Sequence, residues 1–205
     1  MPFDPLRGCA DLFRLVRSVP YFRRYRRLQE NFGFDPWHVK SPFPRRPYKR
    51  RVVAMINSLA ADTVVEIGCG LGEIVSRCRA KNRFGFDLDA AVIAAAAELH
   101  GAGVTFRQGD LRNPDGIAAA VGGPIDVLVT LNWPHMLPFE MIENAIAGLT
   151  AQTPVRILVI DTIHPGLAGY QHCHTLDDIK RLGDVVTTIP GGDLIRDLHV
   201  VKLTP

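Results

Sequence analysis

Three glycines within five residues, Gly68, Gly70 and Gly72, follow the short apolar run Val64-Val65-Glu66-Ile67. Glycine lets a backbone turn sharply and approach a ligand closely. Three acids surround this turn in the sequence. Glu66 directly precedes it, Asp87 ends the run Arg83-Phe84-Gly85-Phe86-Asp87, and Asp110 follows Val104-Thr105-Phe106-Arg107-Gln108-Gly109. Carboxylates accept hydrogen bonds, so three of them along one edge suit a ligand rich in hydroxyl and amino donors. The glycine turn alone would be no more than a tight strand-to-helix connection; the acids behind it carry the functional reading. Two histidines extend it. His135, in Leu131-Asn132-Trp133-Pro134-His135, and His164 are candidate general bases, because an imidazole titrates near pH 6.5. His135 equally suits a residue that caps the following turn. His172 and His174 flank Cys173, but no carboxylate at ligand spacing accompanies them, and they read as a polar loop.

The elements that must position these residues follow from hydrophobic periodicity. Residues 46–60 form a helix with Val52, Val53, Met55, Ile56 and Leu59 as its apolar stripe. Strands are expected at 63–67, 83–87, 104–108, 125–131, 155–160, 184–189 and 197–203. Helices are expected at 73–81, 90–100, 115–121, 138–150 and 175–182, with Gly101 closing the second. Alternating strands and helices with nearly continuous apolar strands specify an α/β, doubly wound, mostly parallel seven-stranded sheet covered on both faces. The last two strands are joined by Pro190-Gly191-Gly192, too short for a crossover helix, so they form an antiparallel C-terminal hairpin. In such a sheet ligands bind beyond the carboxyl ends of the strands, which is where the glycine turn and the acids fall.

Composition sets the outer bounds. With 205 residues, 47% hydrophobic and 22% charged, the chain can bury an ordinary core without a staple. Cys9, Cys69, Cys78 and Cys173 are scattered with no CxxC pair, so neither a cysteine zinc site nor any other metal is expected. No apolar run approaches the ~20 residues of a membrane span, and Met1-Pro2-Phe3-Asp4 has no secretory pattern, so the expected compartment is the cytoplasm. Charge is uneven: residues 1–55 hold 13 of the 24 Lys and Arg but only 4 of the 21 Asp and Glu. This divides the chain into a basic, aromatic arm or lid, residues 1–45, and a body, residues 46–205. Trp37 and Tyr48, amid arginines, are candidate substrate-covering residues, and the basic arm could also touch a membrane surface weakly.

Residues 64–72, Val64-Val65-Glu66-Ile67-Gly68-Cys69-Gly70-Leu71-Gly72, closely resemble the first motif of class I S-adenosylmethionine-dependent methyltransferases. Phe84-Gly85-Phe86-Asp87-Leu88-Asp89 resembles their second-strand acidic motif, and Gln108-Gly109-Asp110-Leu111 their adenine-proximal motif. The resemblance covers residues 46–205 and implies a Rossmann-like body that binds S-adenosylmethionine and releases S-adenosylhomocysteine. It implies that Glu66 and the amides of Gly68 and Gly70 surround the methionine part, with Cys69 and Gly72 also among the cofactor-binding residues of the turn, that Asp87 accepts from the ribose, and that Leu88 packs on the adenine. Gln108, Gly109, Asp110 and Leu111 would border the adenine edge, and Asn132 would flank the methionine moiety. Trp133 and His135 depart from the Asn-Pro-Pro-aromatic motif of amino-group methyltransferases. A dinucleotide fingerprint would want a third glycine where Glu73 stands, and a carboxylate there opposes a pyrophosphate.

The expected function is methyl transfer to a small or carrier-bound metabolite, such as a sugar, polyketide-like or lipid-linked hydroxyl or amine. A nucleic-acid methyltransferase using the basic arm, and a non-catalytic partner subunit with the cofactor fold, are the alternatives. The absence of an appended substrate domain favours the compact acceptor.

Overall fold

The computed structural model describes residues 5–40 and 42–203, with side chains from Val16 onward. The ends of the arm and body, the arm's residue 41 and the Cys9 thiol lie outside the described residues.

Seven strands form one sheet: β1 (Thr63–Ile67), β2 (Asn82–Asp87), β3 (Thr105–Gln108), β4 (Ile125–Thr130), β5 (Val155–Ile163), β6 (Gly183–Pro190) and β7 (Arg196–Leu203). Their order is β3-β2-β1-β4-β5-β7-β6. The first five are parallel, and β7 is antiparallel to both β5 and β6. The expected C-terminal hairpin is present. The order reverses between β1 and β4, which places the switch point beside the glycine turn.

Alternation along each strand divides the core. Val65, Ile67, Leu128, Leu158 and Val201 face α5 (Asp115–Val121), α6 (Phe139–Thr150) and α7 (Leu176–Leu182). Val64, Val127, Val129, Val159 and Val200 face Tyr48, Val52 and Ile56 of α3 (Pro47–Ser58). The edge beyond β2 carries α4 (Ala90–His100), capped by Asp89, whose carboxylate accepts from Ala91 N–H. The arm begins with a 28-residue helix, α1 (Pro5–Phe32), followed by α2 (Trp37–Lys40) and a 3-10 turn at Phe43–Arg45. Tyr25, Leu28 and Phe34 of the arm pack on Leu71 and on Val92 and Ala95 of α4. Among the described residues no helix is long and apolar enough to cross a membrane.

One expected element is absent. Residues 73–81 do not form a helix; only Val75–Arg77 makes a 3-10 turn. Side chains from elsewhere take the donors a helix would use. Glu66 accepts the Val75 N–H at 2.9 Å, and Asn57 of α3 accepts the Arg79 N–H at 2.7 Å. β5 also runs beyond 160 to Ile163, because β7 pairs with it as far as Arg196.

Candidate functional site

The glycine turn owes its shape to left-handed backbone. Gly68, Gly70 and Gly72 have φ of 70°, 52° and 67°. A Cβ on Gly68 would lie 2.1 Å from the Trp133 ring, and one on Gly70 would lie 2.9 Å from His38 Nδ1. Gly72 serves packing instead: a Cβ there would meet the Phe106 ring at 2.4 Å. Gly68→Ala therefore meets both backbone strain of ~1–2 kcal/mol and the indole. In a Trp37→Phe background, which leaves Trp133 as the sole tryptophan, we expect a shifted emission spectrum and a lowered unfolding midpoint.

Beyond the strand ends lies a cavity of about 440 Å³. Glu66, Gly68, Cys69, Gly70, Asp87, Leu88, Gly109, Asp110, Leu111, Asn132, Trp37 and Tyr48 all line it. Gly72 and Gln108 do not; Gln108 donates to the Leu88 carbonyl at 2.9 Å and so fixes the Leu88 loop. Asp87 accepts from Gly70 N–H at 2.8 Å and Asp89 N–H at 3.1 Å, which ties the glycine turn to the end of β2. Each carboxylate oxygen keeps a second lone pair for a ligand. Asp110 is held by Arg112, whose hydrogen bonds keep its carboxyl below the ordinary range. Glu66 is buried, and desolvation pushes its carboxyl up to about 8. The Cys69 thiol, also buried, is pushed well up, while the Cys69 N–H bonds Phe86 O.

The arm is tied to the glycine turn beside this cavity through a residue that sequence reasoning weighed only against a dinucleotide. Glu73, buried, accepts from Tyr25 Oη at 2.5 Å, from Phe43 N–H at 2.7 Å and from Lys49 Nζ at 2.5 Å. One carboxylate thus joins α1, the 3-10 turn after α2 and α3 to the glycine turn. Burial would raise the Glu73 pKa, but Lys49 and the hydrogen bonds hold it below the ordinary range. Trp37 and His38, both on α2, line the cavity, and the Arg46 guanidinium lies over the Trp37 ring. Burial holds the His38 imidazole below its ordinary range.

Trp133 occupies the far wall. Its indole Nε1–H donates to Ile67 O at 2.7 Å, seating the ring over Gly68. Asn132 precedes it with φ of 70° and donates its N–H to Asp161 at 2.9 Å.

That bend carries His135 away from the cavity. Its ring is fully buried, with Nε2–H donating to Asp161 at 3.2 Å and Nδ1 without a partner among the described residues. The expectation of His135 at the methyl's path is not met by this placement. Asp161, at the end of β5, also pairs with Arg196 at 2.6 Å. Burial alone would raise the Asp161 carboxyl, but His135 and Arg196 pull it below the ordinary range. Arg196 further bonds Asp193 and Asn132 and lies 4.1 Å from the centre of the Tyr48 ring, so this buried group supports two cavity residues from behind. His164, half exposed beside Asp197 at 3.4 Å, does not line the cavity either. His172 and His174 stack in the loop before α7, and among the described residues no group of His, Cys, Asp and Glu is arranged to hold a metal.

No protein-family model matches the chain, and no curated protein does. Solved structures do. Magnesium protoporphyrin IX methyltransferase from Synechocystis PCC 6803, with bound S-adenosylmethionine, is 18% identical with a TM-score of 0.61, covering 95% of this chain and 97% of that one. The N-methyltransferase NodS from Bradyrhizobium japonicum, in complex with S-adenosylhomocysteine, is 16% identical with a TM-score of 0.66, covering 89% and 99%. A TehB-like methyltransferase from Corynebacterium glutamicum is 19% identical with a TM-score of 0.59, covering 92% and 99%. Such identities speak of architecture, and with the strand order, the terminal hairpin and the glycine turn they establish that this chain has the class I S-adenosylmethionine-dependent methyltransferase fold.

Proposed function

We propose that the chain is a methyltransferase that uses S-adenosylmethionine, releases S-adenosylhomocysteine and acts on a small or carrier-bound acceptor. One observation carries this reading: a single cavity is lined by the glycine turn, by Glu66, Asp87 and Asp110, and by aromatic residues of the arm. The residues suit the cofactor. Gly68 and Gly70 leave a cradle no side chain could share, and Glu66 offers a buried carboxyl toward the methionine end. Asp87 would hold the ribose, Leu88 an adenine face, Asp110 the adenine amine and the Leu111 amide a ring nitrogen, with Asn132 at the methionine flank. When bound, S-adenosylmethionine supplies a methyl group on a sulfonium leaving group, so the protein's share is chiefly alignment and exclusion of water.

Residues 5–45 act as the lid of the 46–203 body. Trp37, Tyr48, Trp133, Met136 and Leu137 give the acceptor's side of the cavity a largely apolar lining. That lining favours a compact acceptor over nucleic acid, in keeping with a neighbour named for magnesium protoporphyrin IX. His38 is the histidine on this cavity, and its depressed pKa leaves a neutral imidazole at pH 7, able to take a proton from the acceptor. The unpaired thiols of Cys69, Cys78 and Cys173 fit a reducing compartment such as the cytoplasm.

Calorimetry tests the cofactor assignment. Wild type should bind S-adenosylmethionine and S-adenosylhomocysteine. Asp87→Ala, which removes charge-assisted hydrogen bonds of ~1.5–3 kcal/mol each, should bind at least ~10-fold more weakly. Tight binding of NAD in their place, or of neither nucleoside, would exclude the proposal.

A further inference from the structure

We infer that the outward face of α1 docks on an anionic membrane surface. The helix has two faces with different fates. Ser18, Tyr25 and Leu28 are buried, and Tyr21 and Phe32 pack beside them against α4. On the other side Val16 and Val19 are 62% and 41% exposed, next to exposed Arg23, Arg26 and Arg27. Val19, Pro20, Arg23, Arg24 and Arg27 together border a shallow surface groove. From residue 12 to residue 29 the helix contains no Asp or Glu and six arginines.

Exposed Val16 and Val19 set among arginines give this helix face a small apolar contact inside a cluster of positive charge, which suits docking at an anionic lipid surface. The apolar groups enter the boundary of the acyl chains while the guanidinium groups meet lipid phosphates. The charges forbid spanning, so the helix lies in the plane of the surface. Nucleic acid would use the arginines but has no need of exposed Val16 and Val19, which is why the lipid surface is the occupant we favour. The uneven charge supports the same orientation, since the body beyond residue 55 carries more Asp and Glu than Lys and Arg and is repelled by an anionic leaflet. Docking would have a consequence for the cavity. Tyr25 on the inner face of α1 bonds Glu73, which itself lines the cavity, so the cavity wall would come within about one helix diameter, ~10–12 Å, of the membrane.

Co-sedimentation of the full chain with vesicles tests this. Vesicles of phosphatidylcholine mixed with phosphatidylglycerol should carry the protein down, vesicles of phosphatidylcholine alone should not, and added salt should weaken the binding. Arg23→Glu with Arg27→Glu, and separately Val16→Asp with Val19→Asp, should each reduce binding by ~10-fold or more while leaving the circular dichroism spectrum and unfolding midpoint unchanged. Binding that survives the valine changes would mean bare electrostatic adsorption and overturn the interfacial assignment. No binding to anionic vesicles, with retention on DNA or RNA in a gel shift, would overturn it in favour of nucleic acid. Because the readout is vesicle binding, failure here leaves cofactor binding by the same preparation untouched.

Discussion

Glu73→Ala should destabilise the chain by about 3–5 kcal/mol, the typical cost of removing one partner of a buried ion pair. Lys49, itself largely buried, would lose the carboxylate 2.5 Å from its ammonium, and Tyr25 Oη and Phe43 N–H would lose their acceptor. Glu73→Gln is the sharper comparison. An amide oxygen can still accept from Tyr25 or Phe43, but it cannot neutralise Lys49, so most of the loss should remain. The pH dependence distinguishes the charge from the hydrogen bonds. Because the folded-state pKa of Glu73 is lowered, its contribution is present above the unfolded pKa of about 4.5 and is lost as pH falls through the lower folded value. Wild type should therefore lose stability relative to Glu73→Gln as pH drops below about 4.5. Urea unfolding at several pH values measures the difference, and limited proteolysis reports whether the arm is released first. An alanine variant within ~0.5 kcal/mol of wild type would show that the arm is held by its apolar contacts alone.

The strands and most helices were legible because their signals are local. β4 and β5 carry the apolar runs Val127-Leu128-Val129 and Ile157-Leu158-Val159-Ile160, and α4 is bounded by its caps Asp89 and Gly101. The acids at the strand ends were legible as well, since strand register carries Glu66, Asp87 and Asp110 to one edge. What escaped depends on distant partners. The missing helix after β1 has adequate local propensity, but Glu66 and Asn57 claim its donors from other elements. Glu73 reads locally as a departure from a glycine fingerprint, and only α1 and α3 together reveal it as the arm's anchor. His135 shows the limit most plainly. Its sequence position places it after a strand end, but the left-handed Asn132 and the turn through Trp133 and Pro134 rotate its ring toward Asp161. The indole, which sequence reasoning treated as a motif mismatch, takes the cavity-facing place.

S-adenosylmethionine should bind more tightly as pH rises from about 5.5 to 7.5, by up to ~10-fold per unit, and Glu66→Gln should remove most of that slope. The reason lies in burial. Desolvation pushes the free Glu66 carboxyl up to about 8, so it is largely protonated through this range. A cationic ligand placed beside it favours the carboxylate, and binding must then release a proton. The range stops short of pH 8 because an α-amino group itself titrates there. Stability of the free protein should run the opposite way. A carboxyl whose folded pKa is raised contributes fully below its unfolded value of about 4.5, and that contribution is lost as pH rises through about 8. The unfolding midpoint of wild type should thus fall over the interval in which its affinity grows, while the glutamine variant changes little in either. Isothermal titration in two buffers of different ionisation enthalpy counts the released proton directly. Proton release that persists in Glu66→Gln would assign the coupling to another group, and a pH-independent affinity in wild type would place the cationic part of the ligand away from Glu66.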